Sequence, residues 1–143
     1  MGKNNVASNA ILSLIFNATT WTSVAINATS TPLTALFVSL HTADPTASGT
    51  QSSSEVTYTS YARVSVARTT SGWTASTAQS TSPVAAVTFP AGTGGSGTAT
   101  FFGIGSASTG AGSLFYSGSI SPTIVTGSGI TPQLTTATTV TES

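Results

Sequence analysis

Beyond residue 20 the chain never again keeps a helical period. Short runs rich in Thr and Val alternate with breaks of Gly, Pro and Ser, and this spacing confines the chain to strands and turns. The strongest strand is LTALFVSLHT, residues 33–42. Leu36, Val38 and Leu40 share one face, and Leu33, Ala35 and Phe37 share the other. A strand apolar on both faces belongs at the centre of a sheet, covered on each side. Residues 44–54, DPTASGTQSSS, read as a loop, after which alternation resumes in YTSYARVSVAR. The turn SGWTAS leads on to SPVAAVTFP, a strand bounded by prolines, and AGTGGSG is a flexible connection. TATFFGIG and SLFYSGSI flank SASTGAG, a hairpin signal, and GSGITPQL and TTATTVT close the chain. About seven or eight short strands predict an antiparallel β-sandwich or a jelly-roll-like barrel over about residues 20–141.

One helix is predicted over residues 4–17, capped by Asn4 or Asn5. Val6, Ala7, Ala10, Ile11, Leu14 and Ile15 recur at helical spacing, so this face is expected to dock on a sheet. Asn5, Ser8, Asn9 and Ser13 form the other face. The 143 residues are the size of one domain, and a single β domain spanning 1–143 is expected.

Charge is nearly absent. Three basic and three acidic residues cancel, and charged residues make up 4% of the chain where a typical domain carries about 25%. Polarity comes instead from Ser and Thr, more than a third of all residues. Such a chain has no electrostatic footprint for nucleic acid or an anionic membrane, and neither partner is expected. No apolar run approaches the roughly 20 residues of a membrane span. The start MGKNNV has Val6 where a myristoylation motif needs Ser or Thr, and no basic region makes Ala10–Phe16 a signal peptide. The NAT sequons at Asn17 and Asn27 matter only in a secretory setting, for which there is no signal. Natural sheets guard their edges with charge, above all lysine. Lys3 is the one lysine, so a homo-oligomer, specifically a trimer, is expected.

Little supports catalysis. With one histidine (His41), no cysteine and three acids, no metal site is expected. GTGGSG, residues 92–97, matches the dinucleotide glycine pattern, but a strand-like TATFF follows it and no acid lies at the required distance, so no cofactor is expected. His41 reads as a strand-end histidine bonded to the following turn, and Asp44–Pro45 as turn chemistry. Asp44 and Glu55 are the conceivable carboxylate pair, with nothing in the sequence to bring them together. The chain is therefore not expected to be an enzyme. Its catalytic set is empty, and its candidate interface residues are Tyr61, Arg63, Asp44 and Glu55. Arg63 is expected to pair with Glu55 or with a partner's carboxylate, beside Tyr61 as an aromatic anchor. Trp21, Trp73, Tyr58, Tyr61, Phe101, Phe102, Phe115 and Tyr116 are candidates for a carbohydrate platform, though core and interface are the commoner use of such residues.

The motif running from Leu40 to Pro45 (LHTADP), through Gly49–Gln51, Glu55, Tyr58 and Tyr61–Arg63 (YAR) to Arg68 and Gly72–Trp73, resembles small structural proteins of tailed bacteriophages. The resemblance extends over about residues 33–134. It implies a part of the virion, either tail-fibre-like or head-associated, and carries over no catalytic residue. The leading expectation is a trimeric capsid decoration, or cement, protein on the outer surface of the head, bound to the major capsid protein between capsomers. The alternative is a tail, neck or fibre component, with a glycan-binding role as a third possibility.

Overall fold

The protein is described by a computed structural model covering residues 3–27 and 31–142. Met1 and Gly2, where a myristoylation motif would start, and Ala28–Thr29 of the second sequon lie outside the described residues. Among the described residues the fold is mainly β, with 39% strand and 9% helix; it is antiparallel and sandwich-like, and no closed barrel forms among them. One helix, α1 (Asn5–Phe16), precedes eight strands: β1 (Ala35–His41), β2 (Val64–Ala67), β3 (Ser80–Thr81), β4 (Val87–Thr88), β5 (Ser96–Gly105), β6 (Leu114–Gly127), β7 (Gln133–Leu134) and β8 (Val140–Thr141). The main sheet has the order β2-β1-β5-β6, and β3 pairs with β8 and β4 with β7. Contacts divide the chain into two units. The first comprises Met1–Ala35, Val66–Ala86 and Thr135–Ser143, and the second Leu36–Ser65 and Val87–Leu134.

In the second unit the apolar-on-both-faces pattern of β1 has the expected outcome in part: the strand is central and one face is buried, but on the other face Phe37 is half-buried, and Leu33 lies before the strand and is exposed. Leu36, Val38 and Leu40 are buried, and β1 sits inside the sheet with β5 antiparallel beside it, in a register that sets Leu40 opposite Phe102. The hairpin forms where the turn signal stands: β5 and β6 pair from Gly105–Leu114 onward. β6 is an outer strand of the sheet, and no charged residue lies on it. Its protection is of another kind. Between the pairs Phe101–Ser119 and Ala99–Ile124 the register slips, and the extra stretch on β6 contains Pro122. A bulge and a proline blunt a sheet edge as well as a lysine does.

In the first unit α1 is capped as expected, with Asn4 Oδ1 accepting from the Val6 N–H at 2.8 Å. Its docked face is not the expected one. The buried residues are Ser8, Leu12 and Phe16, one line at i, i+4 and i+8, whereas Val6 is 69% exposed. Two side chains of the supposed outer face decide this. Asn9 Oδ1 accepts from the Gln79 N–H at 2.7 Å, and Ser13 Oγ lies 2.5 Å from Ser76 Oγ. Phe16 meets Trp73 edge to face at 4.7 Å, in the core of this unit. Arg68, directly after β2, closes the far end of the helix. Its guanidinium donates to the Leu14, Ile15 and Leu33 carbonyls and to Asn27 Oδ1 at 2.6–2.8 Å. The last carbonyls of a helix lack partners within it, and their partial negative charge suits a cation. Burial without a carboxylate beside it lowers the Arg68 pKa.

Candidate functional site: the cross-tied loops of the second unit

The site is built at the ends of β1 and β5. After His41 the chain runs out into the 42–54 loop and returns as Val56, whose N–H donates to the Leu40 carbonyl at 3.0 Å. The loop opens with the turn read from the sequence: Asp44 Oδ1 accepts from the Thr46 N–H at 2.8 Å, and Thr46 takes the left-handed region at φ 63°. Length and polarity suggest mobility here, but the loop is tied down. Gln51 is fully buried; its Nε2 donates to the Phe37 carbonyl at 3.1 Å, and its Oε1 accepts from the Ala107 N–H at 2.8 Å. Its own N–H points to the Ala111 and Gly112 carbonyls at 3.2 and 3.3 Å. Glycine makes this possible. A β-carbon at Gly105 or Gly112 would collide with the Gln51 side chain.

A second tie is ionic. Arg63 grips Glu55 in a two-pronged pair, Nε to Oε1 and Nη2 to Oε2, each at 2.7 Å. Its remaining donors reach across to the hairpin loop, Nη1 to the Ala107 carbonyl at 2.8 Å and Nη2 to that of Gly110 at 2.7 Å. Tyr61 completes the group: its hydroxyl donates to Glu55 Oε1 at 2.8 Å and accepts from the Leu40 N–H at 3.1 Å. The Tyr61 ring stacks at 6.2 Å on Phe89 and meets Tyr58 edge-on at 5.4 Å. The hydrogen bonds to Glu55 raise the Arg63 pKa, while burial pushes that of Tyr61 far above its ordinary value. Three of the four sequence-selected residues thus meet in one network. The Arg63 side chain is 2% exposed and that of Glu55 16%, so their charges are engaged inside the chain. Asp44, the fourth, is exposed and stands apart.

His41 has the geometry most easily mistaken for chemistry. Its Nε2 lies 2.8 Å from Ser39 Oγ, the spacing of a nucleophile and its base. The Ser53 carbonyl, 2.8 Å from Nδ1, can only accept, so Nδ1 carries the proton and Nε2 accepts from Ser39. Both side chains are fully buried, where no substrate reaches them. Among the described residues no group of three metal-ligating side chains exists.

Desolvation lowers the His41 pKa below 6.5, outweighing the Ser53 hydrogen bond. The folded protein therefore holds it neutral while the unfolded chain takes up a proton near pH 6.5. Its contribution to stability is complete above that pH and is lost as pH falls toward the folded pKa, at up to about 1.4 kcal/mol per pH unit. Urea denaturation of wild type and His41→Gln at a series of pH values checks this. The wild type should lose stability below pH 6.5 relative to the variant. Parallel curves would refute the assignment.

One face of the tied loops borders a groove of about 420 Å³, with Asp44, Thr46, Ala47 and Gly49 on one side and residues 114–117 on the other. A second depression, along Thr50 and Ala111–Ser113, shares Gly49 and Leu114 with it. The sequence left eight aromatic residues as platform candidates. Folding buries Tyr58, Trp73 and Phe102, leaves Trp21, Tyr61, Phe101 and Tyr116 half-buried, and exposes Phe115 in this groove. Gln51 entered the sequence reading only as part of the bacteriophage-like motif, and its role and that of Gly105 and Gly112 were not legible there, because they depend on partners distant in the chain.

A family model described as Podophage GP4 fiber I protein gp80 matches residues 2–141. The chain belongs to this family. It is accordingly a bacteriophage structural protein of the fibre type and a component of the virion. The family's description supports the fibre alternative of the sequence reading, and it lends nothing to a cement protein on the head or to a major capsid partner. No curated protein matches the chain.

Proposed function

We propose that the protein is a non-enzymatic building block of a podophage fibre, assembled as a homotrimer and attached to tail or neck proteins. The family match over residues 2–141 carries the fibre reading. Self-association is supported by what the first unit leaves uncovered. Val6, Val24, Ile26, Leu33 and Val84 are all exposed there, in a chain of zero net charge. Exposed aliphatic side chains without charge around them favour association. Tyr61, Arg63 and Glu55 serve such an assembly indirectly, by holding the 42–54 and 106–113 loops in shape, while Asp44 remains free for contact.

Sedimentation velocity and native mass spectrometry of the purified protein test the assembly. The expected result is a trimer at micromolar concentration, shifted toward monomer by Val6→Asp combined with Ile26→Asp, with far-UV circular dichroism unchanged. A wild-type monomer would overturn it. Counting copies per particle tests the location, because a fibre component is present in few copies and a shell protein in many.

A further inference from the structure

His41 is the one histidine of the chain, and it is fully buried where the 42–54 loop leaves β1. Its imidazole is held between that loop and the sheet. Nδ1 donates to the Ser53 carbonyl at 2.8 Å. Nε2 lies over β5, where a β-carbon on Gly103 would stand 2.6 Å from it. The ring therefore occupies the space left by a bare glycine, with the loop closed over it. We propose that the 42–54 loop is an acid-released strap, and that a proton taken up by His41 is what lifts it.

The closed site fits a neutral ring and not a charged one. Neutral His41 donates to Ser53 and accepts from the Ser39 hydroxyl, so both nitrogens are satisfied. A second proton turns Nε2 into a donor aimed at Ser39. Ser39 must then accept, and its own proton is left in a fully buried site with no other partner among the described residues. No neighbouring charge balances the imidazolium. From β5, Phe101 stands opposite His41 with Gly103 beside it, and no side chain of that strand titrates. The strap has one ionisable group, Asp44, which is exposed. Where the chain returns, Glu55 is already gripped by Arg63 and accepts from the Tyr61 hydroxyl, so its charge is balanced. Burial accordingly outweighs the Ser53 hydrogen bond and the attraction of Glu55, and it lowers the His41 pKa.

A charged ring is stable only in water. The sheet closes one side of it, so the way out is past Ser53, and the strap must rise. Opening breaks the bond from the Thr42 N–H to the Ser54 carbonyl and the Gln51 ties to Phe37 and Ala107. It also takes away the Asp44–Gly49 wall of the groove beside residues 114–117. The β1–β5 ladder is not part of this movement, so the opening is local. Linkage sets its size. The open form takes up a proton near pH 6.5, and the closed form only at a lower pH. Above that window the strap is as closed as its hydrogen bonds make it. Within the window the open population grows by at most about tenfold per pH unit, and below it the gain stops.

The test is NMR of the intact protein between about pH 7.5 and about pH 4.5. A single histidine gives a single imidazole Cε1–H signal, and its titration midpoint should lie below 6.5. Hydrogen exchange of the Thr42, Gln51 and Ser53 amides, corrected for the intrinsic pH dependence of exchange, should quicken by up to about tenfold per pH unit as pH falls through the window. Dilute urea should speed exchange in β5 and leave the strap unchanged, because a local opening exposes little surface. His41→Gln keeps a donor for Ser53 and an acceptor for Ser39 but takes up no proton. Its strap should be as protected as that of the wild type at neutral pH and should lose the pH response. A midpoint at or above 6.5, a strap whose exchange does not change with pH, or a strap that opens only together with β5 would each overturn the proposal. The same pH response in His41→Gln would overturn it too, by assigning the trigger to another group. The three wild-type measurements decide the matter even where the variant does not fold.

Discussion

Arg63→Met is expected to lower the free energy of unfolding by about 3–5 kcal/mol, the cost of breaking a buried ion pair from one side. The substitution removes both prongs from Glu55 and leaves the carboxylate with Tyr61, while the Ala107 and Gly110 carbonyls lose their donors. Arg63→Lys should be damaging too, because an ammonium cannot reproduce the planar fork that meets Glu55 and the hairpin loop together. The pair itself is a poor source of net stability, since both charges are withdrawn from water to form it. Arg63→Met combined with Glu55→Leu should therefore recover part of the loss. Urea denaturation of the four proteins measures this. A loss below about 0.5 kcal/mol for Arg63→Met would show that solvent already screens the pair. Because the network spans both loops, Arg63→Met should also raise amide exchange in residues 106–113.

Trp73→Ala should cost the first unit about 3–5 kcal/mol through the cavity left by a large core side chain. Trp73 is 1% exposed, packs edge to face on Phe16, and accepts a hydrogen bond from Asn17 Nδ2 through its main-chain carbonyl at 3.1 Å. That bond survives substitution, so the loss reports packing. The indole N–H has no partner among the described residues, so Trp73→Phe should be much milder: it removes volume together with an unsatisfied donor. A double-mutant cycle with Phe16→Ala should give a coupling of about 0.5–1.5 kcal/mol for the ring pair. Thermal and chemical denaturation supply the four values. Equal losses for Trp73→Ala and Trp73→Phe would contradict this account.

The residues that were legible in sequence are those whose signal is local. β1 could be placed at the centre of a sheet because both its faces are apolar, and the β5–β6 hairpin because a glycine-rich turn separates two alternating runs. The cap at Asn4 and the Asp44 turn were legible for the same reason, since donor and acceptor lie two residues apart. The buried face of α1 was misread because counting aliphatic residues ignores what polar side chains can bond to. Asn9 and Ser13 find partners 70 and 63 residues away, and these turn the helix onto Ser8, Leu12 and Phe16. The stretches read as strands around Val64 and Val87 contain only four and two strand residues.

Sequence determined the class of this molecule: one capped helix, short antiparallel strands with one central strand, and a surface almost without charge. It also brought Arg63 and Glu55 under suspicion as a pair. Tertiary structure alone decided that the pair is internal and clamps a hairpin loop 44 residues away, that Gln51 fills a space left by Gly105 and Gly112, and that Phe115 and Asp44 share a groove. The physical reason is the reach of the signals. Periodicity and turn chemistry report which way a side chain faces within a few residues, whereas a buried polar group must find its partner wherever the folded chain supplies one.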